Sequence, residues 1–417
     1  MFARHHAALG FIFVTVLLDM LAFGIIIPIL PRLISNFLQG NIALSSKYLG
    51  LFVTVWAVMQ FFFAPLVGMA SDRFGRRPII LLSNFGLALD YVIMALAPTL
   101  GWLLVGRVLS GLTSSSISTA NAYISDVTTP ETRSRAYGLF GAAFGLGFIL
   151  GPAAGGWLGN VNPRLPFWVA AVFSLVNATY GFFILPESLP PERRQMRPQW
   201  KRANPLGSLK LLRSHHELFG LAGVNFISYL AHEVYATVFV LYATFRYGWD
   251  VHAIGNSLAV VGVATVIVSG GLVGPFVKRF GERATMFAGL LFGALGFALF
   301  GMSTLGWVFL VSIPFNALWG LANPPMQSLM TQRVSKLEQG ELQGAIASLR
   351  GIAMIVGPGM FSATFAFFIL PKRLFPGAPW FLSAILLVAA CGLAVVVVPK
   401  RVPSEREALP DSVSTGA

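Results

Sequence analysis

The chain has 417 residues, 56% of them hydrophobic and only 11% charged, with a formal net charge of +13. A soluble domain carries about 25% charged residues, so a water-solvated fold is excluded; the apolar runs, mostly about 18–25 residues long, match a bilayer core of about 30 Å instead. The basic excess does not point to nucleic acid, because its placement follows a topology.

Residues Met1 to His6 run directly into an apolar stretch that holds Asp19 and no A-x-A cleavage site, which predicts a retained first span rather than a signal peptide. Spans are predicted at 8–31, 48–69, 79–97, 100–122, 135–158 and 165–185, then at 217–245, 253–277, 285–303, 306–331, 341–369 and 378–398. The expected fold class is an all-α integral membrane protein of twelve transmembrane helices in two six-helix halves. The halves are placed at 1–186 and 217–400, with a Pro-rich basic linker at 187–216 and a tail at 401–417. Among the 29 Lys and Arg residues, only Arg32, Lys47, Arg164, Arg246, Lys372 and Arg373 fall in connections of one parity. Apart from Arg107 and Arg350, which lie inside apolar runs, the rest fall in the opposite connections and the two tails. This positive-inside asymmetry predicts cytoplasmic termini. A single cysteine, Cys391, excludes an internal disulfide and any multi-cysteine metal site.

A fixed offset of 206 residues relates the halves: Gly68, Arg73, Phe74, Gly75 and Arg77 map onto Gly274, Arg279, Phe280, Gly281 and Arg283. Gly145, Gly151 and Pro152 map onto Gly351, Gly357 and Pro358 by the same offset. Parallel repeats of this kind are a transporter architecture, with substrate bound between the halves near mid-membrane.

The segment Gly68-Met-Ala-Ser-Asp72-Arg73-Phe-Gly75-Arg76-Arg77-Pro78 joins the second and third predicted spans. Its small residues allow close helix approach, Gly75 permits a tight turn, and Asp72 can pair with the arginines or with a neighbouring helix end. Charge at a cytoplasmic loop accounts for Arg76 and Arg77 but not for the whole spacing. The segment resembles the loop signature of the major facilitator superfamily, whose acid and arginines latch the outward-facing state. The resemblance implies a gating role for Gly68, Asp72, Arg73, Gly75, Arg76 and Arg77, together with Asp126. In the fifth span, Gly147-Phe-Ile-Leu-Gly151-Pro152-Ala-Ala-Gly155-Gly156 puts glycines on one helix face and bends the helix at the proline. That face is expected to pack against the opposite half and hinge, although any one glycine is accounted for by ordinary close packing. The complete pattern resembles the superfamily's antiporter motif and favours export over uptake.

An arginine inside a span costs at least ~3 kcal/mol on insertion scales unless it is paired. Arg107 therefore needs an acid, and Asp19 is the expected partner, because the family packs its first and fourth helices side by side. Such a pair is either a proton-coupled switch or a purely structural contact. Asp90 either lines the cytoplasmic entrance or pairs across helices. Glu233, with His232 in the seventh span, is a second proton site or a cation site, unless His232 or Arg350 neutralises it. Substrate contacts expected from helix position and from aromatic, amide or charged character are Gln60, Asn121, Tyr123, Asn225, Tyr229, Phe239, Asn316, Trp319 and Arg350.

Over nearly its whole length the chain resembles the tetracycline-efflux branch of the superfamily, through Leu18-Asp19, Ile25-Ile-Ile-Pro28-Ile-Leu-Pro31, Gln60-Phe-Phe-Phe-Ala-Pro65, Ala88-Leu-Asp90-Tyr91, Ala122-Tyr-Ile-Ser-Asp126 and Leu185-Pro-Glu-Ser188. It departs in the ninth span, where Gly289-Leu-Leu-Phe-Gly293-Ala-Leu-Gly296 lacks the branch's acid. It departs again in the eighth, where Val263-Ala-Thr265-Val lacks its histidine. The resemblance implies a monomeric drug:proton antiporter of the bacterial inner membrane with an amphiphilic drug, protons and lipid as partners, no cofactor, metal or nucleic acid, and no enzymatic activity. A multidrug or metabolite transporter and a non-transporting receptor are the rival readings.

Overall fold

The structure is a computed structural model, and it describes residues 2–113, 116–194, 207, 209–214, 216–335 and 338–398. Most of the expected linker and the whole expected tail lie outside the described residues. The first half contains α1 (Phe2–Ile26), α2 (Ile29–Phe37), α3 (Ile42–Phe74), α4 (Arg76–Leu96), α5 (Leu100–Thr113), α6 (Ser116–Val127), α7 (Pro130–Val161) and α8 (Leu165–Ile184). After α9 (Leu209–Ser214), the second half contains α10 (His216–His232), α11 (Val234–Thr237), α12 (Phe239–Tyr247), α13 (Val251–Ile267), α14 (Val273–Met302), α15 (Gly306–Ala317), α16 (Asn323–Thr331), α17 (Gln339–Phe368) and α18 (Ala378–Val397). No strand occurs among the described residues.

Among the described residues, eight segments are long and apolar enough to cross a membrane, nine if the bent pair Leu218–Thr237 and Phe239–Tyr247 is one span. Several expected spans are broken rather than continuous. Pro28, which has no N–H to give, separates α1 from α2. The seventh expected span bends by 52° after Thr237, and a five-residue π-turn, Val268–Leu272, interrupts the eighth. The 52-residue segment Val251–Met302 would extend about 78 Å as one helix, more than twice a bilayer core of about 30 Å; it breaks at Gly281, where φ is 79°.

The internal repeat is visible in the backbone. Gly75 (φ 106°) and Gly281 (φ 79°) occupy the same turn of their respective halves, in a region of φ that disfavours any side chain. Matching shallow apolar grooves, one between α4 and α8 at Phe85, Ala88 and Leu89, the other between α14 and α18 at Leu291, Ala294 and Leu295, carry the same 206-residue offset.

Two helix pairs make most of the contact between the halves, α3 with α17 and α7 with α13. Their close contacts gather at the end remote from the Gly75 and Gly281 turns. There Ser46 Oγ donates to the Ser362 carbonyl (3.0 Å), Thr54 Oγ1 to the Ile355 carbonyl (3.4 Å) and Trp157 Nε1 to Asn256 Oδ1 (3.4 Å). Gly50 leaves room for Ser362, and a Cβ on Gly156 would stand 2.6 Å from the Val251 carbonyl. Towards the turns the halves part. Gly68, Gly138, Gly141, Gly270 and Gly274 have nothing within 4 Å of where a Cβ would be. The molecule is a cleft closed at one end and open at the other.

Candidate functional site

Three groups of polar side chains are set into this apolar frame. The first lies inside the N-terminal half. Asp90 on α4 is fully buried, and Arg107 on α5 reaches it with Nη2 at 3.5 Å, beside the Met94 sulfur at 3.1 Å. Gly106, on the same turn of α5, lets Asp90 approach, since a Cβ there would meet Asp90 Oδ1 at 2.7 Å. Asp90 Oδ1 and Arg107 Nε have no hydrogen-bond partner, so the pair is incompletely satisfied at both ends. The expected partner of Arg107 is thereby corrected: Asp90 forms the ion pair, and Asp19 on α1 accepts instead from Asn177 Nδ2 on α8 at 2.9 Å. Asn177 gives its other proton to the Thr15 carbonyl (3.2 Å). Of the two roles open to Asp90, pairing across helices is the one seen. Asn177 is a lone amide in the sixth apolar span, and that isolation was the signal for it.

The second group surrounds the turn between α3 and α4. Arg76 is its hub. Its guanidinium pairs with Asp72 (2.6 Å) and with Asp126 (3.1 Å) and donates to Ser71 Oγ (2.9 Å), while its backbone N–H donates to Glu187 Oε1 (2.8 Å). Glu187 also accepts from the Leu189 N–H (3.1 Å) and faces Arg194 at 3.8 Å. Ser188 Oγ donates to Asp126 (3.1 Å), Tyr123 Oη to the Pro186 carbonyl (3.1 Å) and Arg77 to the Phe182 carbonyl (2.6 Å). Arg73 lies over the Phe74 ring at 5.2 Å. Of the two partners open to Asp72, the arginine is the one taken, and the chain segment after α8 is strapped across the turn. Sequence reasoning noticed Leu185-Pro-Glu-Ser188 without assigning it a role; a carboxylate two residues past a span end and on the same face as a basic turn was the clue.

Gly147, Gly151 and Gly155 do share one face of α7, but that face packs on α1 of the same half. Gly147 meets Met20, a Cβ on Gly151 would lie 2.7 Å from the Gly24 Cα, and Gly155 abuts the Ile25 carbonyl. The motif is thus divided between two neighbours: these three glycines pack on α1, whereas Pro152 and Gly156, with Ile149, meet α13 of the opposite half, as expected of the motif.

The third group lies on the C-terminal side of the cleft. At the end of α10, His232 is exposed, with its ring centroid 5.7 Å from that of Tyr235 and 5.6 Å from that of Trp319. Glu233 follows, 8% exposed, at the break between α10 and α11; Gly357 on α17 makes space for it, since a Cβ there would sit 2.5 Å from the Glu233 Cβ. Arg350 on α17 is exposed and lies over the Tyr229 ring at 5.7 Å. Gly351 meets Phe61 of α3, which puts this stretch of α17 against the other half.

Of the expected substrate contacts, Gln60, Asn121, Tyr229 and Trp319 are half-buried and Arg350 is exposed. The others are enclosed within a half. Tyr123 is fully buried and holds the strap, and Phe239 stacks on Phe309 (5.5 Å) in an aromatic core with Trp380. Asn225 is buried, and Asn316 accepts from Tyr235 Oη (2.5 Å) against α14. Aromatic and amide side chains fill the interior of a half as readily as they line a cleft.

This arrangement defines a helical membrane protein of two like halves around a one-sided cleft, with ionisable groups held inside its spans. The model of the Major Facilitator Superfamily matches residues 12–358 and again 221–411. The chain is 37% identical to the tetracycline resistance protein, class C, of Escherichia coli over 363 residues, 87% of this chain and 91% of that protein. It is 30% identical to multidrug resistance protein 2 of Bacillus subtilis (strain 168) over 344 residues, 82% and 84% of the two chains. A solved structure of the nucleoside transporter NupG aligns with a TM-score of 0.76 at 13% identity, over 94% of this chain and 98% of that one. The chain belongs to the major facilitator superfamily.

Proposed function

We propose that the chain is a proton-coupled antiporter that exports tetracycline or similar amphiphilic drugs by alternating access of its two halves. The observation that carries this reading is the buried, incompletely satisfied Asp90–Arg107 pair beside the buried Asp19, in a chain so similar to tetracycline resistance proteins over most of its length. A carboxylate buried in a span is costly when charged and marks a proton relay. Protonating Asp90 removes the attraction that holds α4 to α5; protonating Asp19 leaves Asn177 facing a neutral acid. Either event changes how the helices of the N-terminal half pack, and α7, keyed into α1 by its glycines, carries the change to α13.

Apart from the short α9, the helices group into twelve passes if α1 with α2, α5 with α6, α10 with α11 and α12, and α15 with α16 each form one broken span and Gly281 divides two. The positive-inside charge then puts both termini and the Gly75 turn in the cytoplasm of a bacterial inner membrane, so the cleft opens inward. This agrees with Asp72 and Arg76 bonding within their own half rather than latching the two halves together. Gln60, Tyr229, Trp319 and Arg350 are the substrate contacts of this reading, and Glu233 with His232 is a second proton site. The energetics suffice: a pH difference of about one unit supplies ~1.4 kcal/mol and ~150 mV adds ~3.5 kcal/mol per charge, so one proton sustains a gradient of roughly three decades.

The test is export by everted vesicles. Tetracycline addition to energised vesicles should release protons from the lumen, and Asp19→Asn and Asp90→Asn should abolish this; vesicles whose internal pH never responds to drug sink the reading. The similarity to multidrug resistance protein 2 of Bacillus subtilis and the missing acid of the ninth span support a second reading, export without selectivity for tetracycline. A susceptibility panel of tetracyclines against unrelated amphiphiles separates the two.

A further inference from the structure

We infer that Arg350, with Tyr229, His232 and Trp319, forms an anion-binding subsite on the C-terminal wall of the cleft, which takes the acidic group of an aromatic amphiphile. The inference rests on the export reading and specifies its substrate class.

Arg350 and Arg107 are the arginines that lie within apolar runs, and the structure treats them oppositely. Arg107 is buried against Asp90. Arg350 is exposed, and among the described residues it forms no salt bridge; its guanidinium lies over the face of Tyr229. A guanidinium stacked on an aromatic ring keeps its planar fork of N–H donors free, and that fork matches a carboxylate or sulfonate in two-point geometry. Its position is fixed from both sides. Gly351, the next residue, meets Phe61 of the opposite half, and Gly357, two turns along the same helix, packs on Glu233. The side chain therefore stands where α17, α10 and α3 converge. The exposed His232, flanked by Tyr235 and Trp319, adds aromatic surface and a ring N–H beside it. A positive fork next to aromatic faces selects a flat molecule that carries a negative group.

The competing account is that Arg350 serves only to balance the buried Glu233. The two separate in everted vesicles assayed with two xanthene dyes of similar shape and opposite charge, carboxyfluorescein and rhodamine 6G. The wild type should accumulate carboxyfluorescein. Arg350→Gln should lower that accumulation at least about tenfold, the scale of one lost charge-assisted contact, while rhodamine 6G accumulation stays within about twofold. Arg350→Lys, which keeps the charge but loses the fork, should fall between. Retention of carboxyfluorescein transport by Arg350→Gln overturns the inference. So does equal loss of both dyes that Glu233→Gln in the same chain restores, since Arg350 would then serve Glu233. If Arg350→Gln does not reach the membrane, Arg350→Lys decides, and an unchanged ratio of the two dyes overturns the inference. A wild type that exports tetracycline or rhodamine 6G but not carboxyfluorescein overturns it and leaves export standing; a wild type that moves none of the three overturns export as well.

Discussion

The two halves share a turn and invert its charges. In the first, Asp72 and Arg76 flank Gly75, and Arg76 reaches Asp126 on α6. At the same offset in the second stand Lys278 and Glu282 around Gly281, and Glu282 accepts from Ser328 Oγ on α16 (2.5 Å) and from Gln332 Nε2 just past its end (3.1 Å). Gln332 is the offset counterpart of Asp126, so the bridge survives while its sign does not. What the repeats hold in common is a backbone shape, and the charges are free to specialise. The N-terminal half uses them to pair internally and to bind the strap at Glu187. The C-terminal half has a 52° bend, a π-turn and an arginine that forms no salt bridge among the described residues. One half is stapled and the other is deformable.

The largest test of that contrast compares the two intramembrane arginines. Arg107→Ala strands Asp90 in a dry site and should cost about 3–5 kcal/mol, read as loss of folded protein or a lower Tm in mild detergent; Arg350→Ala should leave Tm nearly unchanged. Next come the turn glycines. Gly75→Ala forces a side chain into φ 106° and against Glu187, and should cost about 2 kcal/mol or more. Gly281→Ala meets open space and should cost only about 1 kcal/mol, so equal Tm losses would erase the distinction. Third, Glu187→Gln should cost about 1 kcal/mol and loosen the strap, seen as faster proteolysis near Arg194, whereas Glu282→Gln should leave cleavage there unchanged. The smallest effect is expected at the closed end, where Asn256→Ala removes the hydrogen bond from Trp157. A change of about 0.5 kcal/mol should favour opening at that end, measured as greater labelling of a cysteine placed there in a Cys391→Ala background.

Much of the frame was legible in the sequence, because its signals are local. Apolar run length gave the helices, the 206-residue offset gave the paired turns, and Gly75 and Gly281 do take the left-handed backbone their position suggested. What stayed hidden depends on which neighbour a helix face meets. Periodicity put Gly147, Gly151 and Gly155 on one face of α7 but said nothing of whether α1 or α13 would cover it. The choice of Asp90 over Asp19 for Arg107 is set by how α4, α5 and α8 pack, since both acids lie in spans near the same helix. The breaks at Pro28, Glu233 and Val268 were partly legible: proline announces the first, but nothing in Leu-Ala-His232-Glu233-Val or Ile-Val268-Ser-Gly-Gly marks where helical hydrogen bonding lapses. Tyr123, Phe239, Asn225 and Asn316 have the chemistry of ligand contacts and the burial of core residues, and residue type alone does not separate the two.

At the closed end Gly156 of α7 and Gly255 of α13 meet, with a Cβ on either lying 3.1–3.2 Å from the other's Cα. A joint made of bare main chain has no interlocked side chains to disengage, so its two faces can part and meet again without a rotamer change. A single methyl group on either glycine would hold the closed end ajar.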